Sequence, residues 1–304
     1  MTQDAILQTV NGEPTLRFER RLAHPPAKVW RAVSDPAQMG SWFPTAVEAE
    51  LRPGAPMRFT FPEEAVVDGS WDGEVLEVDP PKVYMFRWNA DVLRFEIIPE
   101  GDGCLLVFTQ TLGGGAVGRL GAGRTAAGWD TCLDVLAAGL DGTTVEPRTD
   151  WLTPMEGYIE KFGIGEGAVS GSEVRFARDL VWKPAEKVWE LLVEGSAPEV
   201  GGEPPARAVN DYVPAGELTV VDAPHVLEYR ALDGGTVRWE IVSDPRLGVR
   251  TELTQTLPPA DRLPVTLAAW HVHMELFFAA VMGEIRCPWP KERTERLAEH
   301  YASR

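Results

Sequence analysis

LRFERRLAHPPAKVW at residues 16–30 and VRFARDLVWKPAEKVW at residues 174–189 are two versions of one segment. Apart from one inserted residue, each runs Arg-Phe-x-Arg-x-Leu, then a proline, then Lys-Val-Trp. The likeness continues in the same order on both sides of the chain. GEVLEVDPPKVYMFR (73–87) matches GELTVVDAPHVLEYR (216–230), and LRFEI (93–97) matches VRWEI (237–241). Thr-Gln-Thr-Leu recurs at 109–112 and 254–257. AAGWDTCLDVLAAGLDG (126–142) matches LAAWHVHMELFFAAVMG (267–283), with Trp129 over Trp270 and a glycine closing each. Chance motif hits do not keep a common order over this length, so the chain is a duplication.

The period is near 150 residues, far above the roughly 20–50 of solenoid repeats, so each copy is expected to be a complete domain. The glycine- and serine-bearing stretch IGEGAVSGS marks the connection, which puts the domains at 1–167 and 168–304. Within a copy, Leu16, Phe18 and Arg20 alternate with Arg17, Glu19 and Arg21, which predicts a strand, here an edge strand. Pro25 and Pro26 stand where a helix begins, with Val29, Trp30 and Val33 on its buried side. Alternating runs at 47–51, 57–61, 83–88, 93–98 and 105–112, separated by Pro, Gly and Asp turns, predict an antiparallel meander. Trp129, Leu133, Leu136 and Leu140 fall at i, i+4, i+7 and i+11, and Trp270, Met274, Phe277 and Val281 repeat that spacing. The expected fold class is α+β: two tandem helix-grip domains, each a curved antiparallel sheet wrapped on a long C-terminal helix, with short helices between the first and second strands.

On the segments HPPAKVWRAVSDPAQMGSWFP (24–44), GEVLEVDPPKVYMFRW (73–88) and YIEKFGIGEG (158–167), each half resembles the SRPBCC, or START-like, superfamily. The first half is similar to its branch of homologues of the activator of the heat-shock-protein ATPase. The resemblance covers nearly all of 14–167 and, more loosely, 172–301, where the Ser-Asp-Pro to Trp-Phe segment is absent. Between the helix-start Trp and the Gly-Glu pair the second copy is shorter, which predicts a lost or shortened hairpin. The resemblance implies a cavity between sheet and helix that takes an apolar ligand.

Composition limits the partners. The 304 residues carry 29 basic and 46 acidic side chains, a formal charge of −17, which repels phosphates and anionic membrane surfaces. Both halves are acidic, so no basic module is hidden in either. No nucleic-acid or membrane partner is expected, and no apolar run approaches the roughly 18 residues of a membrane span. Cys104, Cys132 and Cys287 are too few and too far apart for a disulfide framework or a zinc site, and the start of the chain has no leader pattern. A cytoplasmic protein without metal or cofactor is expected, with a monomer compatible with the sequence.

Strand parity puts Phe86, Trp88, Phe95 and Phe108 toward the interior, with Trp129 and Leu133 facing them from the helix. Trp42, Phe59 and Trp71 complete the candidate ligand contacts of the first copy. In the second copy the candidates are Trp239, Trp270, Met274 and Phe277. Gln110 and Gln255 share that inward parity, and a buried amide must find partners in main chain, water or ligand. His271 and His273 stand where the first copy has Asp130 and Cys132. At 100° per residue their rings diverge by about 200° and cannot share an ion on a helix, though His273 can edge into a cavity. Gly113-x-Gly115-x-x-Gly118 has dinucleotide-fingerprint spacing but no βαβ unit, so it reads as a flexible connection, or lid, before the long helix. Glu63 and Glu64 read as solvated loop. No catalytic motif is visible. Binding of a small hydrophobic, polycyclic-type molecule is the leading expectation, for sequestration, transport or presentation. The alternatives are a polyketide or enediyne cyclase-like enzyme or self-resistance protein, and a chaperone ATPase activator-like partner.

Overall fold

Asn11 and Gly12, both at positive φ, form a two-residue turn of the kind that matches strand twist. They join β1 (Gln3–Val10) to β2 (Glu13–Leu22). In the computed structural model, residues 3–61, 70–180, 183–245 and 247–304 are described. The chain divides into two compact units, Met1–Phe162 and Gly163–Arg304.

After β2 come α1 (Pro26–Ser34) and α2 (Pro36–Met39). Proline opens both helices, where a missing N–H costs nothing, and Asp35 caps the second by accepting from the Ala37 N–H at 3.0 Å. The meander follows as β3 (Ala46–Ala49), β4 (Pro56–Thr60), β5 (Ser70–Asp79), β6 (Val83–Trp88), β7 (Asp91–Glu100) and β8 (Gly103–Thr111). The short α3 (Ala116–Leu120) leads into the long α4 (Ala122–Asp141), and α5 (Leu152–Lys161) closes the unit. The antiparallel sheet runs β1-β2-β8-β7-β6-β5-β4-β3.

The second unit contains β9 (Ala168–Ser170), β10 (Glu173–Asp179), α6 (Ala185–Val193), β11 (Ala215–Asp222), β12 (Val226–Ala231), β13 (Thr236–Asp244), β14 (Gly248–Thr256), α7 (Leu263–Val281) and α8 (Lys291–Ala302). Its sheet runs β11-β12-β13-β14-β10-β9. Eight strands against six reflect the missing hairpin: β3 and β4 have no counterpart among the described residues. Each unit is an antiparallel sheet holding a long helix, the α+β helix-grip arrangement.

Three expectations need correction. The strand at 16–21 is not at an edge, because β1 pairs along its outer side while β8 pairs along the other. Its polar alternate residues mark a face turned to water, and a face and an edge give the same alternation. The glycine-rich segment is an ordered connection: a Cβ at Gly118 would lie 1.9 Å from the Gly113 carbonyl oxygen, and one at Gly113 would lie 2.5 Å from that of Ala90. Close backbone approach requires these glycines. The stretch Ala260–Val281 is long and apolar enough, by composition, to cross a membrane, where the sequence showed no such run; 78% of its apolar window is buried within the protein. The sheet covers one side of α7, and α8 covers another through Thr294, Leu297 and Tyr301. Glu63 and Glu64 lie outside the described residues.

Candidate functional site

Register builds the first domain's interior. Phe18 stands opposite Phe108, Phe108 opposite Phe95, and Phe95 opposite Tyr84, an aromatic row across four strands. Phe95 and Phe108 stack at 4.6 Å between centroids, and Trp129 descends from α4 onto Phe108 at the same separation. Trp42 and Phe43, just past α2, reach in from the other side. Phe43 meets Trp88 at 5.3 Å and Trp129 at 5.5 Å, and Trp42 meets Phe95 at 5.9 Å. Such pairs add about 0.5–1.5 kcal/mol each beyond the burial itself.

Toward the ends of β4, β5 and β6 the rings come to the surface. Phe59 is fully buried, but Phe61, Trp71 and Trp88 are half-buried. Phe59 stacks on Trp88 at 5.0 Å, and Phe61 and Trp71 lie about 6 Å from Trp88. Gly73 pairs with Trp88 across the strands, and a Cβ there would stand 2.6 Å from the Phe59 ring. The glycine makes room for the rings.

Polar groups in this interior are few and mostly paired. Gln110 accepts the Trp129 indole N–H and donates its amide to Asp91 at 2.5 Å. The other Asp91 oxygen accepts the Gly113 N–H at 2.8 Å. Burial raises the Asp91 pKa above the usual carboxylate range, against the opposing pull of Gly113, Gln110 and Arg124. Trp88 differs, because its ring nitrogen is buried and has no partner among the described residues.

The second domain repeats the frame with another filling. Gln255 accepts the Trp270 indole N–H at 2.6 Å, as Gln110 does for Trp129. Its amide nitrogen is buried without a partner among the described residues, because Gly235 stands where the first domain has Asp91. Pro258 stands where Gly113 would offer the second donor, so acceptor and donor have gone together. The remaining donors point at a chain segment that enters the interior. Tyr229 and Trp239 both donate to the Ala208 carbonyl, at 3.0 and 3.1 Å, and His273 Nε2 donates to the Arg207 carbonyl at 2.9 Å. Asn210 lies 3.4 Å from His273 Nδ1 and turns the segment by accepting the N–H groups of Tyr212 and Val213. Ala208 and Val213 are fully buried. Burial holds His273 down to about 4, hence neutral at pH 7.

Behind the long helices both domains keep a buried arginine and a tyrosine lock. In the first, Arg20 donates to Asp130 at 2.7 Å, and the Tyr158 hydroxyl donates to Asp130 while accepting the Ala5 N–H. In the second, Arg178 is buried at the equivalent position, the Tyr301 hydroxyl pairs with His271 at 2.9 Å, and the Gly167 N–H donates to Tyr301. His271 therefore faces α8 while His273 faces residues 207–210, and no metal-holding cluster forms among the described residues. Burial pushes the Cys132 thiol up to about 12, which leaves it unreactive.

The structure brings Trp42, Phe59, Trp71, Phe86, Trp88, Phe95, Phe108 and Trp129 into one ring cluster, with Gln110 bonded to Trp129 and Leu133 buried one turn along α4. Trp239, Trp270, His273 and Phe277 form a second cluster, with Gln255 bonded to Trp270 and Met274 buried beside them on α7. Phe43, Phe61 and Asp91 were not foreseen. Phe43 sits in a turn with no periodicity to read, whereas Asp91 was marked by its replacement with glycine in the second copy.

Residues 23–141 match the family model of Activator of Hsp90 ATPase homolog 1-like protein. No curated protein matches the chain. Among solved structures, protein EF2215 from Enterococcus faecalis is 21% identical over 52% of this chain and 90% of its own, with a TM-score of 0.45. CalU16 from Micromonospora echinospora is 20% identical over 54% and 96%, with a TM-score of 0.41. MLL2253 from Mesorhizobium loti is 28% identical over 43% and 99%, with a TM-score of 0.38. Each spans about one domain of this chain. The match over α1 to α4, set in a domain whose sheet grips a long helix, makes the first domain similar to the Activator of Hsp90 ATPase homolog 1-like family of the SRPBCC superfamily, and a shortened second copy of the same fold follows it.

Proposed function

We propose that the first domain binds one small, flat, apolar molecule between its sheet and long helix, for sequestration or transport. The second domain keeps the fold with its interior filled by its own chain. The supporting observation is the contrast in how the two interiors end. In the first, a continuous set of rings reaches the surface at Phe61, Trp71 and Trp88 and leaves a buried indole N–H without a partner. In the second, the donors Tyr229, Trp239 and His273 are satisfied by the carbonyls of residues 207 and 208. Apolar walls with few polar groups suit such a ligand, and the −17 charge favours a neutral or cationic one.

Isothermal titration and native mass spectrometry of the full chain with uncharged polycycles such as fluorene and phenanthrene test this reading. The expected result is one molecule per chain, with affinity reduced at least about tenfold by Trp71→Ala and unchanged by Trp239→Phe. No binding up to the solubility limit, or two equal sites per chain, contradicts it.

A further inference from the structure

The buried and half-buried tryptophans divide unevenly in their hydrogen bonding. Trp42 donates to the Ala32 carbonyl, Trp129 to Gln110, Trp239 to Ala208, Trp270 to Gln255 and Trp289 to the Thr294 hydroxyl. Trp88 alone keeps a buried ring N–H with no partner among the described residues. A buried donor left unmade is costly, and native interiors keep few of them. This one also belongs to a half-buried ring, at the place where the cluster changes from buried to half-exposed.

We propose that the Trp88 N–H selects the ligand of the first domain, and that the selected class is a planar polycycle carrying a carbonyl oxygen in the plane of its rings. The inference rests on the binding reading above and adds to it a chemical requirement. An indole nitrogen donates only, so the group it recognises must be an acceptor. A charged acceptor is disfavoured by the acidity of the chain. The geometry then fixes the orientation of the oxygen. Phe59 covers one face of Trp88, with planes 24° apart, while the N–H lies in the indole plane. A flat ligand meeting that N–H edge to edge with an in-plane oxygen can also lie against neighbouring rings. An oxygen projecting from a ring face cannot do both. Neither feature recurs in the second domain, where Ala231 occupies the position of Trp88 and the Phe59 hairpin has no counterpart among the described residues.

Fluorene and 9-fluorenone are nearly the same shape and differ by that oxygen. Titrated into the full chain, 9-fluorenone is expected to bind about tenfold more tightly, the value of one buried hydrogen bond made in place of an unmet donor. Trp88→Phe keeps the ring and removes the donor. It should bind fluorene within about twofold of the unaltered protein and lose the preference for 9-fluorenone. In the unaltered protein, the Trp88 indole ¹H–¹⁵N signal should move downfield with 9-fluorenone and not with fluorene, a readout that does not depend on the variant folding. Equal affinity for the two compounds means that water or a ring face already satisfies the N–H, and overturns the proposal. A preference that survives in Trp88→Phe overturns it as well. If neither compound binds, the binding reading itself fails and the selectivity falls with it.

Discussion

The two domains share strand order, long helix and the Trp–Gln pair at their centre, yet they differ in what fills the space beyond it. The first domain sends Trp42 and Phe43 inward, side chains that add apolar wall and take no polar partner apart from the Trp42 bond to Ala32. The second sends in main chain, and the carbonyls at 207 and 208 absorb three side-chain donors. The same fold thus tolerates either filling, side chains from a hairpin-bearing copy or main chain in the copy whose hairpin is shortened. The polar substitutions follow the same logic: Asp91 and Gly113 form an acceptor and donor pair, and the second copy has lost both members, as Gly235 and Pro258. The price is a Gln255 amide nitrogen with no partner among the described residues.

The comparison can be broken most forcefully behind the long helices. Asp130→Ala takes from Arg20, 5% exposed, the carboxylate at 2.7 Å, leaving Asp134 at 3.9 Å, and removes the acceptor of Tyr158; it should cost the first domain about 3–5 kcal/mol in denaturant unfolding. The second domain, whose lock uses His271, should be unaffected. Equal destabilisation of both domains would show that the locks are coupled.

Acidity should separate the domains next. The His273 imidazole, ordinarily near 6.5, is held at about 4, so the unfolded second domain takes up the proton first. Stability present above pH 6.5 is lost as the pH falls toward 4, by about 3 kcal/mol, since one unit is worth about 1.4. Asp91 works in the opposite sense in the first domain. Its raised pKa gives a contribution present at low pH that is lost as the pH rises through the folded value. Hydrogen exchange followed from pH 7 to 4 should show the second domain opening earlier, and His273→Gln should remove that dependence. A second domain indifferent to pH over this range would mean the imidazole is not sequestered.

The smallest expected effect comes from a matched pair of substitutions. Trp239→Phe removes one of two donors to the Ala208 carbonyl together with part of a buried ring, and should cost about 2 kcal/mol. Trp88→Phe removes a donor that has no partner and should change stability by less than about 0.5 kcal/mol. Similar costs for the two would remove the distinction between a satisfied interior and an open one.

Much of this was legible in the sequence because duplication supplies its own comparison. The repeat located the long helices, the buried Gln110 and Gln255, and the shortened hairpin, since period-2 and period-3.6 patterns survive divergence. Three things did not show. The position of β2 inside the sheet was hidden because β1, QDAILQTV, mixes polar and apolar residues without clean alternation, so its pairing was not visible as a pattern. Phe43 lies in a turn, and residues 206–213 are a single short 3-10 turn followed by irregular chain, where direction into or out of a domain is set by turns such as the one Asn210 makes. The divergence of His271 and His273 was foreseen from helix geometry, but their partners, Tyr301 and Arg207, come from distant segments that no local spacing encodes.

On the proposed reading, one domain is open to a ligand and its copy is closed by its own chain. Fluorine NMR of the full chain carrying 5-fluorotryptophan, titrated with 9-fluorenone, tests it directly. The resonances of Trp71 and Trp88 should move saturably while those of Trp239 and Trp270 stay in place. Saturable movement of Trp239 or Trp270, with Trp71 and Trp88 unmoved, would contradict it.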